Sequence, residues 1–146
     1  SLSWITPVLS RDLVLAGVPE LTLTASVTSP QVHLIANLFD RAPGGQLRRI
    51  SQFALNPLLR DGVSKVTLIV PGTLMKLKMP AFAMAHRVPK GHSLVLRLAT
   101  TDPDKVQTSA VDAQITVATG PGKTELRLPV VADPQIVRDS VVLFDD

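Results

Sequence analysis

Glu20-Leu21-Thr22-Leu23-Thr24-Ala25-Ser26-Val27-Thr28 decides the fold. Leu21, Leu23, Ala25 and Val27 alternate with Thr22, Thr24, Ser26 and Thr28. A period of two puts the apolar groups on one side of an extended chain and the hydroxyls on the other, which is the pattern of a half-buried β-strand. The same period spreads outward. Val32–Phe39 is apolar on nearly both faces (Val32, Leu34, Ala36, Leu38; Ile35, Phe39), as suits a more central strand. Arg41-Ala42-Pro43-Gly44-Gly45 supplies turn geometry before a third strand, Gln46–Leu55, marked by Leu47, Ile50 and Phe53. Its imperfect alternation leaves room for a bulge.

Val66–Val70 and Leu74–Met79 predict the next pair, interrupted by Pro71-Gly72. In the latter, Met75, Leu77 and Met79 face one way and Lys76 and Lys78 the other; exposed lysines discourage edge-to-edge aggregation. Pro80–Gly91 lacks strand alternation and reads as a loop. Ser93–Thr100, Asp112–Ala118 and Lys123–Val131 resume the alternation, separated by the polar loop Thr101–Ala110 and the turn Gly120-Pro121-Gly122. A helical turn fits at Asn56–Arg60 or Ala81–His86. The tail, residues 132–146, carries the apolar patch Val141-Val142-Leu143-Phe144, which reads as a last strand or a contact with a neighbour. The 12 prolines argue against long helices. About eight or nine short strands with Pro- and Gly-rich joins read as an all-β sandwich or barrel.

The length of 146 residues, with 45% hydrophobic and 18% charged, predicts one domain, 1–146, with its own core. No apolar run reaches the ~18 residues of a transmembrane helix, so no membrane span is expected. The absence of cysteine excludes disulfides, thiolate zinc sites and cysteine nucleophiles, and it fits either redox compartment. The net charge of +3 is spread out, with its densest groupings at Arg48-Arg49 and Lys76/Lys78. With one Trp, four Phe and no Tyr to stack bases, nucleic acid is not an expected partner. The chain begins at Ser1 with no signal pattern after it, which reads as a piece of a larger protein.

Catalytic patterns fail one by one. Gly91-His92-Ser93-Leu94-Val95 lacks the second glycine of a nucleophile elbow, and Ser93 leads into a strand rather than a helix. Gly120-Pro121-Gly122-Lys123-Thr124 resembles the end of a phosphate loop, but Val117 stands where the first glycine belongs and a strand follows. His33, His86 and His92 lack the spacing of a helical zinc site, which leaves copper or zinc only as an alternative; His33 reads as a strand residue bonded through one ring nitrogen. Asp102 and Asp104 share one short loop, where calcium competes with a solvated turn. No cofactor is expected. Trp4 either stacks on a sugar or packs the N-terminal arm against the sandwich.

Several strings then become familiar together. Ser10-Arg11-Asp12-Leu13-Val14-Leu15-Ala16-Gly17-Val18-Pro19-Glu20-Leu21, running into a Thr-rich strand, resembles the start of the C-terminal domain of X-Pro dipeptidyl-peptidases and the related cocaine-esterase-like serine hydrolases. Val32–Asp40 with Ala42-Pro43-Gly44-Gly45 is similar to that family's strand ending in an acidic residue and a Pro-Gly turn. Ile50-Ser51-Gln52-Phe53-Ala54-Leu55 looks like its next strand. Ala83-Met84-Ala85-His86-Arg87-Val88-Pro89-Lys90-Gly91-His92-Ser93 resembles the signature Pro-Thr-Ser-His-x-Phe-x-x-Gly-His-Arg at His86, Gly91 and His92. It departs at Val88, at Ser93 and in lacking the Thr-Ser pair. Leu126-Arg127-Leu128-Pro129-Val130-Val131 resembles the closing segment, so the likeness spans about Trp4 to Val131.

The resemblance implies a jelly-roll β-sandwich of the galactose-binding-like type. It also implies that the Ser-Asp-His triad lies in a separate α/β-hydrolase catalytic domain. The module would pack on that domain, help wall its active site and take part in homo-oligomer contacts. The expected docking residues are Phe82, Met84, His86 and Arg87, the alternative being that they plug the end of the sandwich. Two other readings stay open: a free-standing carbohydrate- or small-ligand-binding module, and an assembly module joined through its tail or a sheet face.

Overall fold

The alternating stretch is a strand, with Leu21, Leu23, Ala25 and Val27 buried and Thr22, Thr24 and Ser26 only partly covered. In the computed structural model, residues 2–28, 33–62, 65–101, 115–119, 122–131 and 141–143 are described. Their strands are β1 (Leu2–Ile5), β2 (Leu13–Gly17), β3 (Glu20–Val27), β4 (His33–Arg41), β5 (Leu47–Leu55), β6 (Met75–Met79), β7 (Met84–Val88), β8 (Ser93–Thr101), β9 (Ile115–Ala118), β10 (Glu125–Arg127) and β11 (Val141–Leu143). Among the described residues no helix is long and apolar enough to cross a membrane. The one helical element there is a 3-10 turn at Pro57–Leu59, where Asn56 Oδ1 accepts from the Leu58 N–H at 3.1 Å. It is the turn expected at Asn56–Arg60; Ala81–His86 is not helical.

Among the described residues every strand pairing is antiparallel. One sheet runs β1-β8-β4-β5. A second runs β11-β10-β3-β6, with β9 also on β3, and β2 and β7 form a third, two-stranded sheet. β10 takes Glu20–Thr22 and β9 takes Thr24–Val27, while β6 pairs Leu21–Ala25. Ahead of β10 the Thr124 hydroxyl donates to the Ala118 carbonyl, at the end of β9, at 2.7 Å. Buried side chains of the first two sheets form one cluster: Leu34, Ala36, Leu38, Phe53, Leu96 and Leu98 from the first, Leu21, Leu23, Leu77, Met79 and Leu126 from the second. The two sheets are therefore the layers of a β-sandwich. Trp4, on β1, is buried in this core, so its ring packs the N-terminal arm and is not presented to a sugar.

The imperfect β5 holds the expected bulge. Leu38 pairs with Ser51 but Phe39 pairs with Arg49, which leaves Ile50 as the extra residue. Gly45, at φ +90°, closes the turn between β4 and β5, with its N–H on the Ala42 carbonyl at 2.8 Å.

Two expectations need correction. Val66–Val70 is not a strand. Its Thr67 N–H goes to the Leu58 carbonyl at 2.7 Å, and Arg60 Nη1 and Nη2 donate to the Thr67 and Leu68 carbonyls at 2.8 and 2.9 Å. The backbone is thus spent on the 3-10 turn and one guanidinium instead of a ladder. Pro80–Gly91 is not all loop, because β7 pairs with β2 from Leu13↔Val88 to Gly17↔Met84. Met84, His86 and Val88 turn inward and Ala85 and Arg87 outward, so a histidine inside and an alanine outside hid the period of two.

The β2–β7 ribbon is tied to the sandwich through Pro129 and Val130. Ala16 N–H donates to the Pro129 carbonyl at 2.9 Å, and Leu15 bridges Val130. Gly17 sits at φ +134°, where an added Cβ would meet Pro129 Cβ at 2.9 Å. Only glycine fits this crossing without strain. Lys123–Val131 is a strand only over Glu125–Arg127. The tail supplies β11 on β10, as one of its two readings expected. Asp102–Ala110, Asp112–Gln114, Val32 and residues 132–140 lie outside the described residues.

Candidate functional site

Leu34, Ala36, Leu38 and Asp40 form one row on β4, all facing inward. A carboxylate at the end of a core-facing row has to find donors, because an uncompensated buried charge is costly. Asp40, 6% exposed, finds two. His86 Nε2 donates to Oδ2 at 2.9 Å, and His92 Nδ1 donates to Oδ1 at 2.6 Å. Because the carboxylate only accepts, the bonded nitrogens carry the protons. His86 comes from the inward face of β7 and His92 from the turn before β8. One carboxylate thus stitches the ribbon and the β7–β8 turn to the end of β4. Outside it lies a shallow cavity of about 280 Å³, which Arg48 and Gln46 also line.

A second carboxylate fastens the same turn from outside. Asp12 accepts from Arg87 Nε at 3.1 Å and from the Lys90 backbone N–H at 2.7 Å, with a further bond from Arg87 Nη2. The Arg87 side chain, and then the Lys90 N–H, hold the Asp12 carboxyl below its ordinary value. The same pairing pushes the Arg87 guanidinium up.

The Asp40–histidine set has two members of a catalytic triad but no nucleophile. Neither imidazole is bonded to a serine or threonine hydroxyl among the described residues. Ser93 is buried at the start of β8, beside His92 in sequence, while the His92 Nδ1 is committed to Asp40. Among the described residues no group of three or more His, Cys, Asp or Glu is placed to hold a metal ion. The geometry is that of a strut. Lys123 and Thr124 lead into β10 rather than a helix, which leaves no helix N-terminus for a phosphate. Asp102 and Asp104, the calcium candidates, lie outside the described residues. His33 opens β4, far from the other two histidines in the chain and half-buried.

The four expected docking residues fall in different environments. Phe82 is 91% exposed. Met84 packs against the core, and His86 is committed to Asp40. Arg87 is exposed but held by Asp12. Asp40 was not a site candidate in the sequence. The signal for it was present: a carboxylate in the apolar register of β4, two positions beyond Leu38.

The family model described as the X-Pro dipeptidyl-peptidase C-terminal non-catalytic domain matches residues 1–127. No curated protein sequence matches the chain. Among solved structures, an aminopeptidase from a marine sediment Thaumarchaeota archaeon is similar at 18% identity and a TM-score of 0.76, over 90% of this chain and 26% of that one. An α-amino acid ester hydrolase is similar at 18% identity and a TM-score of 0.76, over 89% and 25% of the two chains. A CocE/NonD family hydrolase from Staphylococcus aureus is similar at 12% identity and a TM-score of 0.72, over 89% and 30%. The chain thus spans about a quarter of the first two structures' length, and the likeness establishes a shared all-β fold. With the family model covering nearly the whole described core, the chain belongs to the family of the X-Pro dipeptidyl-peptidase C-terminal non-catalytic domain.

Proposed function

We propose that this chain serves as a non-catalytic accessory domain of a serine hydrolase of the X-Pro dipeptidyl-peptidase or acyl esterase type. It packs on an α/β-hydrolase domain of the same polypeptide, helps wall that domain's active site and contributes to oligomer contacts. Residues 1–146 act as one unit, a jelly roll of the galactose-binding-like type, with 132–146 as its tail. Docking involves the Phe82–Arg87 region: Phe82 as the exposed apolar group, and Met84, His86 and Arg87 as the inner and outer fastenings that hold it in place. The match of the family model to residues 1–127 carries this reading. The Asp40 strut supports it, because both carboxylate oxygens and one nitrogen of each imidazole are spent on holding elements together.

The test is turnover. The purified chain, incubated with X-Pro dipeptide and ester substrates, is expected to release no product above background. Turnover that a serine-directed inhibitor blocks overturns the accessory assignment.

A further inference from the structure

An open cleft of about 550 Å³ lies where the Val18–Glu20 turn, the end of β5 with its 3-10 turn, and the end of β6 come together. Its walls include Val18, Pro19, Leu55, Leu59 and Pro80. Charged groups reach it at Glu20 and Lys78, which pair at 4.0 Å, and at Arg60. This volume falls within the range of ordinary binding clefts.

Exposed apolar side chains adjoin its wall residues in the chain or through hydrogen bonds. Phe82 directly follows Ala81, a wall residue, and is 91% exposed. Arg60, another wall residue, holds the carbonyls of Thr67 and Leu68, and Leu68 is 78% and Val66 66% exposed. These residues keep the alternation of a strand, but their outward row faces solvent. Among the described residues Arg60 donates only to the Pro57, Thr67 and Leu68 carbonyls. Among the described residues no carboxylate lies within ion-pair distance of it.

We infer that this face, from Phe82 across the cleft to Leu68, is the seat of the hydrolase domain of the same polypeptide. That domain places apolar side chains in the cleft and brings a carboxylate to Arg60. The inference rests on the accessory-domain reading. Two observations favour this occupant: no carboxylate among the described residues pairs with the Arg60 guanidinium, and similar structures have roughly three quarters of their chain outside the shared fold. The outer face of β7 is a weaker seat, because Arg87 there is already neutralised by Asp12. An aromatic group beside a desolvated pocket is a common anchor of an interface.

Hydroxyl-radical footprinting of the full polypeptide, read by mass spectrometry, tests the inference. Phe53 and Leu77, both fully buried, serve as references of matched intrinsic reactivity for Phe82 and Leu68. The expected result is that Phe82 is oxidised no more than Phe53, and Leu68 no more than Leu77. Suppose instead that Phe82 and Leu68 stay reactive while another exposed group, such as Ile5 or Val8, is protected. The docking reading then stands and this choice of face is overturned. Protection that vanishes on dilution to monomer assigns the face to a second copy and also overturns the inference. If no exposed apolar residue of the domain is protected, or the polypeptide holds no hydrolase domain, the accessory reading itself fails.

Discussion

Replacing Asp40 with alanine tests whether the shared carboxylate is a strut of the fold. The side chain is 6% exposed and accepts from His86 at 2.9 Å and from His92 at 2.6 Å. A hydrogen bond to a charged group contributes about 1.5–3 kcal/mol, so two sum to about 3–6 kcal/mol. Two effects reduce this. Removing Asp40 also removes the cost of burying a carboxylate. The orphaned imidazoles are partly reached by water, with side-chain exposures of 16% and 22%. The expected loss is therefore about 2–4 kcal/mol. Asp40→Asn keeps the shape and one oxygen, but its amide nitrogen forces one imidazole from donor to acceptor, and the expected loss is about 1–2 kcal/mol. Urea unfolding of the 146-residue chain reads both as a lower midpoint at an unchanged slope. In a double-mutant cycle, Asp40→Ala and His86→Ala together should cost less than the sum of the two alone. If both Asp40 variants fall within about 0.5 kcal/mol of the parent, the range of an ordinary surface change, the strut argument is wrong.

The remaining expectations concern the fastenings around that strut and the surface beyond it. Asp12 has a depressed folded value against an ordinary value of 3.8, so its stabilisation is present above 3.8 and is lost as pH falls through the folded value. In urea titrations at stepped pH, the stability gap between the parent and Asp12→Asn should be constant near neutrality and close in that acid window; a gap that widens there would contradict the pairing. Gly17→Ala should cost about 1–3 kcal/mol, because the backbone is at φ +134° and the new Cβ meets Pro129. A neutral result in thermal melting would mean that the ribbon crossing is looser than drawn. Leu77→Ala, in the middle of β6 and fully buried, should cost about 2–5 kcal/mol by denaturant titration. Phe82→Ser and Leu68→Ser should each change the stability of the chain by no more than about 0.5 kcal/mol, since both side chains are mostly in water. A large loss from either would make it part of the fold instead of a docking surface.

What the sequence made legible follows one rule: side-chain alternation reports the face of a strand only where hydropathy and burial agree. They agree on Glu20–Val27 and Met75–Met79, where leucine, alanine, valine and methionine are inside and threonine or lysine outside, so both strands and their orientation can be read directly. They disagree on β7, whose inward positions are Met84, His86 and Val88. His86 can occupy an apolar register because Asp40, from a strand 46 residues away in sequence, supplies its partner. That coupling cannot be read from either segment alone. Nor can the failure of Val66–Val70 to join a sheet, since its β-branched and apolar residues suit a strand and the bonds of Thr67 and Leu68 to the preceding 3-10 turn and Arg60 divert its backbone. The residues hardest to classify by pattern are thus the ones the domain uses at its margins. Those of β7 are tied inward by a polar strut, while Leu68 and Val66 are left outward with apolar surface uncovered. A local pattern records what a segment prefers; where that preference is overridden, some other part of the chain, or of a neighbour, supplies the reason.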